Sequence, residues 1–262
     1  MDLSRIPDYL TYLAFSRHRS GHGIHSPFLF RLVSDVFRNK IDPDIVCTIE
    51  KTRISLLADT RSINVTDLGA GSRIMKPKLR KVSDIARYSS VPKKYGILLA
   101  NMARNFGKSG VLEFGTSLGI SAMYMAASIP YAEIITMEGC PATSEIAKEN
   151  FRKSGLNNIT SMTGSFDELL PELKRKAVSP GLVFIDGNHR REPVLKYFNE
   201  VAEMSGQESV VILDDIHSSR SMSDAWNDIK RHKKVTSTVD VFRMGMVFFR
   251  KGMARYDYTV RY

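Results

Sequence analysis

Three features of this sequence predict an α/β fold with a mostly parallel sheet. From residue 111 onward, short apolar runs alternate with amphipathic segments of about 11–13 residues, the pattern of strands joined by crossover helices. The first of these runs, Val111-Leu112, ends on Glu113, turns through Gly115-Thr116-Ser117-Leu118-Gly119 and continues as a helix with Met123, Ala126 and Ala127 at helical spacing. The chain then closes with two alternating stretches, Thr236 to Val241 and Gly245 to Arg250, which read as an antiparallel hairpin with Arg243-Met244 near its turn.

The 262 residues suffice for one large α/β domain and an added region, and 43% hydrophobic with 25% charged residues is the balance of a soluble globular chain. Cys47 and Cys140 are too few for a disulfide framework, which points to a reducing, cytoplasmic setting. No apolar run approaches the ~20 residues of a membrane span. Asp2 and Asp8 argue against a secretory signal. The net charge of +10 is unevenly placed: residues 1–110 hold 19 Lys and Arg against 9 acids, and the remainder hold 19 against 19. Such a surplus suits either a nucleic-acid face or a solvated helical surface. The cations are scattered and not interleaved with aromatics, which favours the solvated surface.

Taken in order, residues 1–58 read as helices, with one stripe at Tyr9, Leu10, Tyr12 and Leu13 and a second at Phe28, Leu29, Leu32, Val33 and Val36. Between them, glycines and Pro27 mark a loop that carries His18, His22 and His25; with no acid or thiol nearby, it reads as surface or pocket cover before metal site. Asp67-Leu68-Gly69-Ala70-Gly71 imitates the later glycine turn. It is followed by Pro77 and by Lys76, Lys78, Arg80 and Lys81, so it is read as a basic loop. Residues 83–106 read as helix with Leu98, Leu99, Met102 and Ala103 inward. Strands are then expected at 111–115, 133–138, 159–163, 181–186 and 209–215, with helices near 119–129, 142–154, 166–176, 192–204 and 221–232. With the hairpin, this makes seven strands. A mainly helical cap is expected over residues 1–108, and the sheet domain over 109–262.

The polar residues fall where such sheets bind ligands, at strand C-termini. A strand breaking on glycines into a helix makes a shelf of backbone N–H groups for the polar end of a nucleotide-like ligand. The spacing Glu113-x-Gly115-x-x-x-Gly119 lacks the third glycine of the dinucleotide fingerprint. Glu138 ends the next strand, where a carboxylate can accept two ribose hydroxyls. Ser165 and Phe166 open the following helix, either as cap and packing or as contacts to a base. Asp186 ends the fourth strand with His189 three residues on, and Asp214, Asp215 and His217 follow the fifth. Acids and imidazoles at neighbouring strand ends can hold a divalent ion or take a proton.

Together these motifs resemble the catechol O-methyltransferase-like branch of the class I S-adenosylmethionine (SAM) methyltransferases, over residues 111–250. That resemblance implies a Rossmann-like class I fold with a seven-stranded sheet and an N-terminal helical cap. It also implies SAM contacts at Glu113, Gly115, Thr116, Ser117, Gly119, Ser121, Glu138, Gly139, Ser165, Phe166 and Asp186. The family places Mg²⁺ on the strand-four aspartate and on an Asp-Asn pair, here Asp186 and Asp215-Ile216, so the amide ligand is missing. His189 is the expected base or orienting group, backed by Asp186 and Asp215. The implied activity is methyl transfer to the hydroxyl of a small-molecule acceptor, by a cytoplasmic enzyme with no membrane partner. A homodimer is compatible with this reading. The alternatives are an RNA methyltransferase using the basic N-terminal region, a SAM-binding protein without catalysis, and a nicotinamide enzyme.

Overall fold

The computed structural model describes residues 6–16, 23–66, 78–252 and 255–262. In chain order it contains α1 (Ile6–Phe15), α2 (Pro27–Arg31), α3 (Pro43–Ala58), β1 (Ser62–Asn64), β2 (Leu79–Lys81), α4 (Val82–Ser89), α5 (Lys93–Phe106), β3 (Val111–Phe114), α6 (Ile120–Ser128), β4 (Ile134–Glu138) and α7 (Pro141–Lys153). There follow β5 (Ile159–Thr163), α8 (Phe166–Arg175), β6 (Leu182–Ile185), α9 (Arg191–Met204), β7 (Val210–Leu213), α10 (Arg220–Arg231), β8 (Ser237–Asp240), β9 (Gly245–Phe248) and β10 (Tyr256–Thr259). Every strand and helix expected from residue 111 onward forms, within two residues of the expected ends.

The chain forms two compact units. The first, Lys40–Asn188, holds four parallel strands in the order β6-β3-β4-β5. β3 and β6 are buried at every position, the mark of strands covered on both faces. Helices α3 to α5 of the expected cap belong to this unit. Gly96 lets α5 cross α6 closely, since a Cβ there would stand 2.5 Å from the Tyr124 ring. The Tyr124 hydroxyl in turn donates to Glu50 on α3 at 2.8 Å.

The second unit joins the residues up to Asn39 with those from His189 on, and its strands run β10-β8-β9-β7. β7 and β8 each pair antiparallel with β9, so their C-termini share one edge, with Gly245 opposite both Leu213 and Asp240. Trp226 of α10 packs flat on that glycine, where a Cβ would lie 2.7 Å from its ring. The Tyr12 hydroxyl of α1 donates to the Val260 carbonyl at 2.7 Å and accepts the Tyr262 N–H at 3.2 Å, tying the first helix to the chain's end.

Of residues 1–108, expected as a helical cap, 1–39 fall in the second unit and 40–108 in the first. Three features depart from the expectation. Ser62–Asn64 and Leu79–Lys81, read as part of a basic loop, pair as an antiparallel ladder. β10 adds a parallel neighbour to β8 beyond the hairpin. Leu32–Val36 widens into a π-helical turn after α2. The Asp67–Gly71 segment and His18 and His22 lie outside the described residues.

Candidate functional site

In the first unit the glycine turn after β3 is set by sterics. Gly115 has φ +96° and sits so close to the next strand's end that a Cβ would stand 2.5 Å from the Asp186 carbonyl oxygen. Gly119 has φ +88°, and a Cβ there would meet the Phe151 ring at 2.5 Å. Ser117 between them also adopts a left-handed conformation, at φ +48°, a strained choice for a side chain with a Cβ. The turn is therefore held from outside.

What holds it is the end of β4. The N–H groups of Gly115 and Thr116 both donate to the Met137 carbonyl, at 2.9 and 3.1 Å. The Ser117 N–H donates to Glu138 Oε2 at 2.7 Å, and the Cys140 N–H donates to Oε1 at 2.9 Å. The Gly119 N–H closes back on the Thr116 carbonyl. The expected shelf of amides is thus turned inward at these four positions; its product is a carboxylate clamped at the rim by two charge-assisted hydrogen bonds.

Beneath the turn lies a buried relay. Thr116 and Thr136 hydroxyls meet at 2.6 Å, and Thr136 donates to Glu113 Oε2 at 2.6 Å. Glu113 has no exposed surface, and among the described residues its Oε1 has no hydrogen-bond partner within normal geometry. Burial pushes its carboxyl up to about 7, against the opposing pull of the Ser121 and Thr136 hydroxyls and with a smaller push from Glu138. Ser121, in the first turn of α6, is itself buried. Thr136 belongs to no recognisable motif; only its place opposite Glu113 in the β3–β4 register reveals its part.

At the same edge Ser165 caps α8 in a reciprocal box with Glu168, and Phe166 packs edge-on against Phe114 at 5.3 Å. Gly187 admits that ring, since a Cβ there would stand 2.5 Å from it. The Asp186 N–H bonds the Phe114 carbonyl at 2.9 Å. The structure therefore brings together the turn, Ser121, Glu138 and Glu113, with Phe166 and Asp186 at the neighbouring strand end. Gly139 joins Glu138 to Cys140.

The second unit carries the other named groups. Asp214 is wholly buried at the end of β7. Arg243, from the β8–β9 turn, grips it with a fork, Nε to Oδ1 at 3.0 Å and Nη2 to Oδ2 at 2.6 Å. Burial, and then the Asp215 charge, push the Asp214 carboxyl up, while Arg243 and the nearby His189 pull it down. Asp215 is left-handed at φ +53° and stands 3.8 Å from the same guanidinium. His217 bonds Asp240 through Nε2 at 2.7 Å and stacks on Phe242, centroid to centroid 5.4 Å. Arg243, Asp240 and Phe242 carried no sequence signal, because all three act through a turn whose packing is non-local.

These donors do not suit a divalent cation. Asp214 and Asp215 already face a permanent cation, Arg243, and among the described residues no three His, Cys, Asp or Glu side chains come together as a metal site.

Residues 112–216 match a family described as a methyltransferase domain. The chain is 28% identical over 130 residues to the catechol O-methyltransferase of Niastella koreensis, covering 48% of this chain and 58% of that protein. It is 29% identical over 143 residues to the O-methyltransferase imqG of Aspergillus flavus, covering 52% and 56%. It thus spans little more than half the length of these curated relatives. Among solved structures, TomG of Streptomyces achromogenes, an O-methyltransferase of tomaymycin synthesis crystallised with SAM, aligns with a TM-score of 0.55 at 20% identity, covering 62% of this chain and 82% of that one. At that identity the likeness is one of fold, and the fold is that of the class I methyltransferases.

Proposed function

We propose that this chain, which matches a methyltransferase-domain family over residues 112–216, transfers the methyl group of SAM to a hydroxyl of a small molecule. The observation that carries this reading is the pair of carboxylates at the glycine turn. Glu138 is presented at the rim with both oxygens anchored by N–H groups. Glu113 lies beneath, with one oxygen that has no partner among the described residues. Two ribose hydroxyls suit the first, and a ligand ammonium suits the second.

In this reading the Gly115–Gly119 turn, Thr116, Ser117 and Ser121 hold the amino-acid end of SAM. Glu138 and Gly139 hold the ribose, Ser165 and Phe166 the adenine, and Asp186 lies beside the methyl-bearing end. SAM supplies an electrophilic methyl on a sulfonium, whose charge is lost on transfer, so the residues around it need only exclude water and align a nucleophile. His189 and Asp215, both of the second unit, are the groups assigned to the acceptor. Several cations among the first 110 residues are already engaged, Arg53 with Glu50 and Arg61 with Asp59 and Glu149, which favours a small acceptor over a nucleic acid. No described helix is long and apolar enough to cross a membrane, and with both cysteines free a cytoplasmic setting is the one we assign.

Titration calorimetry with SAM, S-adenosylhomocysteine and NAD tests the reading. Saturable binding of the two adenosyl ligands and none of NAD is expected. Binding of NAD alone would overturn it.

A further inference from the structure

We infer that the β1–β2 ladder positions Glu138, the acid assigned to the ribose, and that Cys140 is the residue through which it acts. This rests on the methyltransferase reading and adds to it a stretch of chain that precedes the matched residues 112–216.

The geometry lies wholly within the first unit. Ser62–Asn64 and Leu79–Lys81 pair antiparallel. The ladder extends at both ends, the Val65 N–H donating to the Lys78 carbonyl at 2.7 Å and the Val82 N–H to the Arg61 carbonyl at 2.9 Å. Its first strand is tied to α7 at two places. Arg61 Nη2 stands 3.7 Å from Glu149 Oε2. Five residues on, the Thr66 N–H donates to Cys140 Sγ at 3.4 Å. The strand from Arg61 to Thr66 covers roughly 16 Å and the helix from Cys140 to Glu149 about 14 Å, so the two lengths match with the strand running along the helix in the opposite direction.

Cys140 opens α7 as its N-cap, with Pro141 at the first helical position. Asp42 and Ser165, the caps of α3 and α8, turn their side chains back onto amides of their own helices. The Cys140 side chain turns to the ladder instead. Its sulfur accepts the Thr66 N–H and gives its own proton to the Asn64 carbonyl at 3.7 Å, bridging backbone groups two residues apart on one strand. Both bonds are long because sulfur is large, and each alone is weak. The residue is buried, so water competes poorly for either.

The backbone of the same residue reaches the acid. The Cys140 N–H donates to Glu138 Oε1 at 2.9 Å, while Oε2 is held by the Ser117 N–H at 2.7 Å. The two oxygens are thus aimed by separate pieces of chain: the glycine turn after β3, and the ladder acting through Cys140. A carboxylate that must meet two neighbouring hydroxyls at once depends on its orientation. A ladder that releases Cys140 frees Oε1 to turn away. A ligand seated on Glu138 holds the ladder in place in return, since coupling between two sites is reciprocal. Glu138 touches the ligand; Cys140 and the ladder backbone at Asn64 and Thr66 position it.

The test uses the full chain and S-adenosylhomocysteine, with affinity read by titration calorimetry and backbone amide exchange over residues 61–66 read by mass spectrometry. Wild type is expected to exchange more slowly at Val65 and Thr66 when the ligand is bound. Cys140→Ala, folded by circular dichroism, is expected to bind about fivefold more weakly, the size of a lost neutral hydrogen bond, and to lose that ligand-dependent protection. Cys140→Ser, whose hydroxyl both accepts and donates, is expected to recover most of both. The cycle with Glu138→Ala separates positioning from mere stability. With the acid gone, Cys140→Ala is expected to weaken binding by about twofold or less, because the ladder acts through that acid. An undiminished loss on the Glu138→Ala background, unchanged affinity of Cys140→Ala, or ladder exchange indifferent to the ligand in wild type overturns the inference. Failure of S-adenosylhomocysteine to bind wild type overturns the methyltransferase reading instead.

Discussion

The Ser117 N–H reaches Glu138 Oε2 at 2.7 Å, so the strained residue of the glycine turn is anchored by the acid that ends the next strand. One carboxylate thereby shapes the turn and, in the proposed reading, holds the ligand's ribose. Glu138→Ala removes both functions, and the adenosyl ligand is expected to bind at least about tenfold more weakly, as for the loss of a charge-assisted hydrogen bond. Calorimetry with S-adenosylhomocysteine measures this. Unchanged affinity would dissociate Glu138 from the ligand.

Glu113 makes the fold sensitive to pH. Its carboxyl is raised from 4.5 to about 7 by burial, so the folded chain holds this proton more tightly than the unfolded one. The stabilising share is complete below about pH 4.5 and is lost as pH climbs to about 7. The size is of order 3 kcal/mol. Urea unfolding of the free protein between pH 5 and 8 is expected to show that decline, and Glu113→Gln to flatten it. A bound ammonium ligand favours the ionised form, so the decline is also expected to shrink when SAM is present.

The glycines of the turn differ from glycines elsewhere, and a matched pair shows it. Gly115→Ala places a Cβ 2.5 Å from the Asp186 carbonyl oxygen at φ +96°, where neither backbone can yield. Destabilisation of at least about 2 kcal/mol is expected. Gly155→Ala has φ +66° with no atom of the described residues within 4 Å, so only the left-handed penalty of roughly 1 kcal/mol applies. Equal melting temperatures for the two variants would contradict the steric account.

How much of this was legible in the sequence follows from the range of each interaction. The β3 turn and α6 declare themselves within nine residues, because glycines follow closely on a short apolar run. The acids at the ends of β4, β6 and β7 are likewise local: each closes an apolar run. β10 is hidden because Tyr-Asp-Tyr-Thr alternates without an apolar face, and β1 and β2 because basic residues flank them. The partners of those acids were out of reach for another reason. Arg243 meets Asp214 across 29 residues, and Tyr12 meets Val260 across 248. Nothing in the composition of either segment announces the other. The division of residues 1–108 between two units has the same cause, for helical periodicity tells which face is buried but not against what.

Arg243 is expected to matter more to stability than any other single cation described. Asp214 has no exposed surface, and the guanidinium fork is what offsets its burial, with Asp215 adding a second negative charge nearby. Arg243→Met leaves a buried carboxylate facing a like charge, and a loss of about 3–5 kcal/mol is expected. The remaining acid can escape only by taking a proton, so the variant is expected to recover stability as pH falls, opposite to an exposed ion pair. Adding Asp214→Asn removes the stranded charge, and the double variant is expected to be more stable than Arg243→Met alone. Chemical denaturation of the three proteins at pH 5 and pH 8 measures both effects. A pH-independent loss that the second substitution leaves unrepaired would show that Arg243 acts through packing instead.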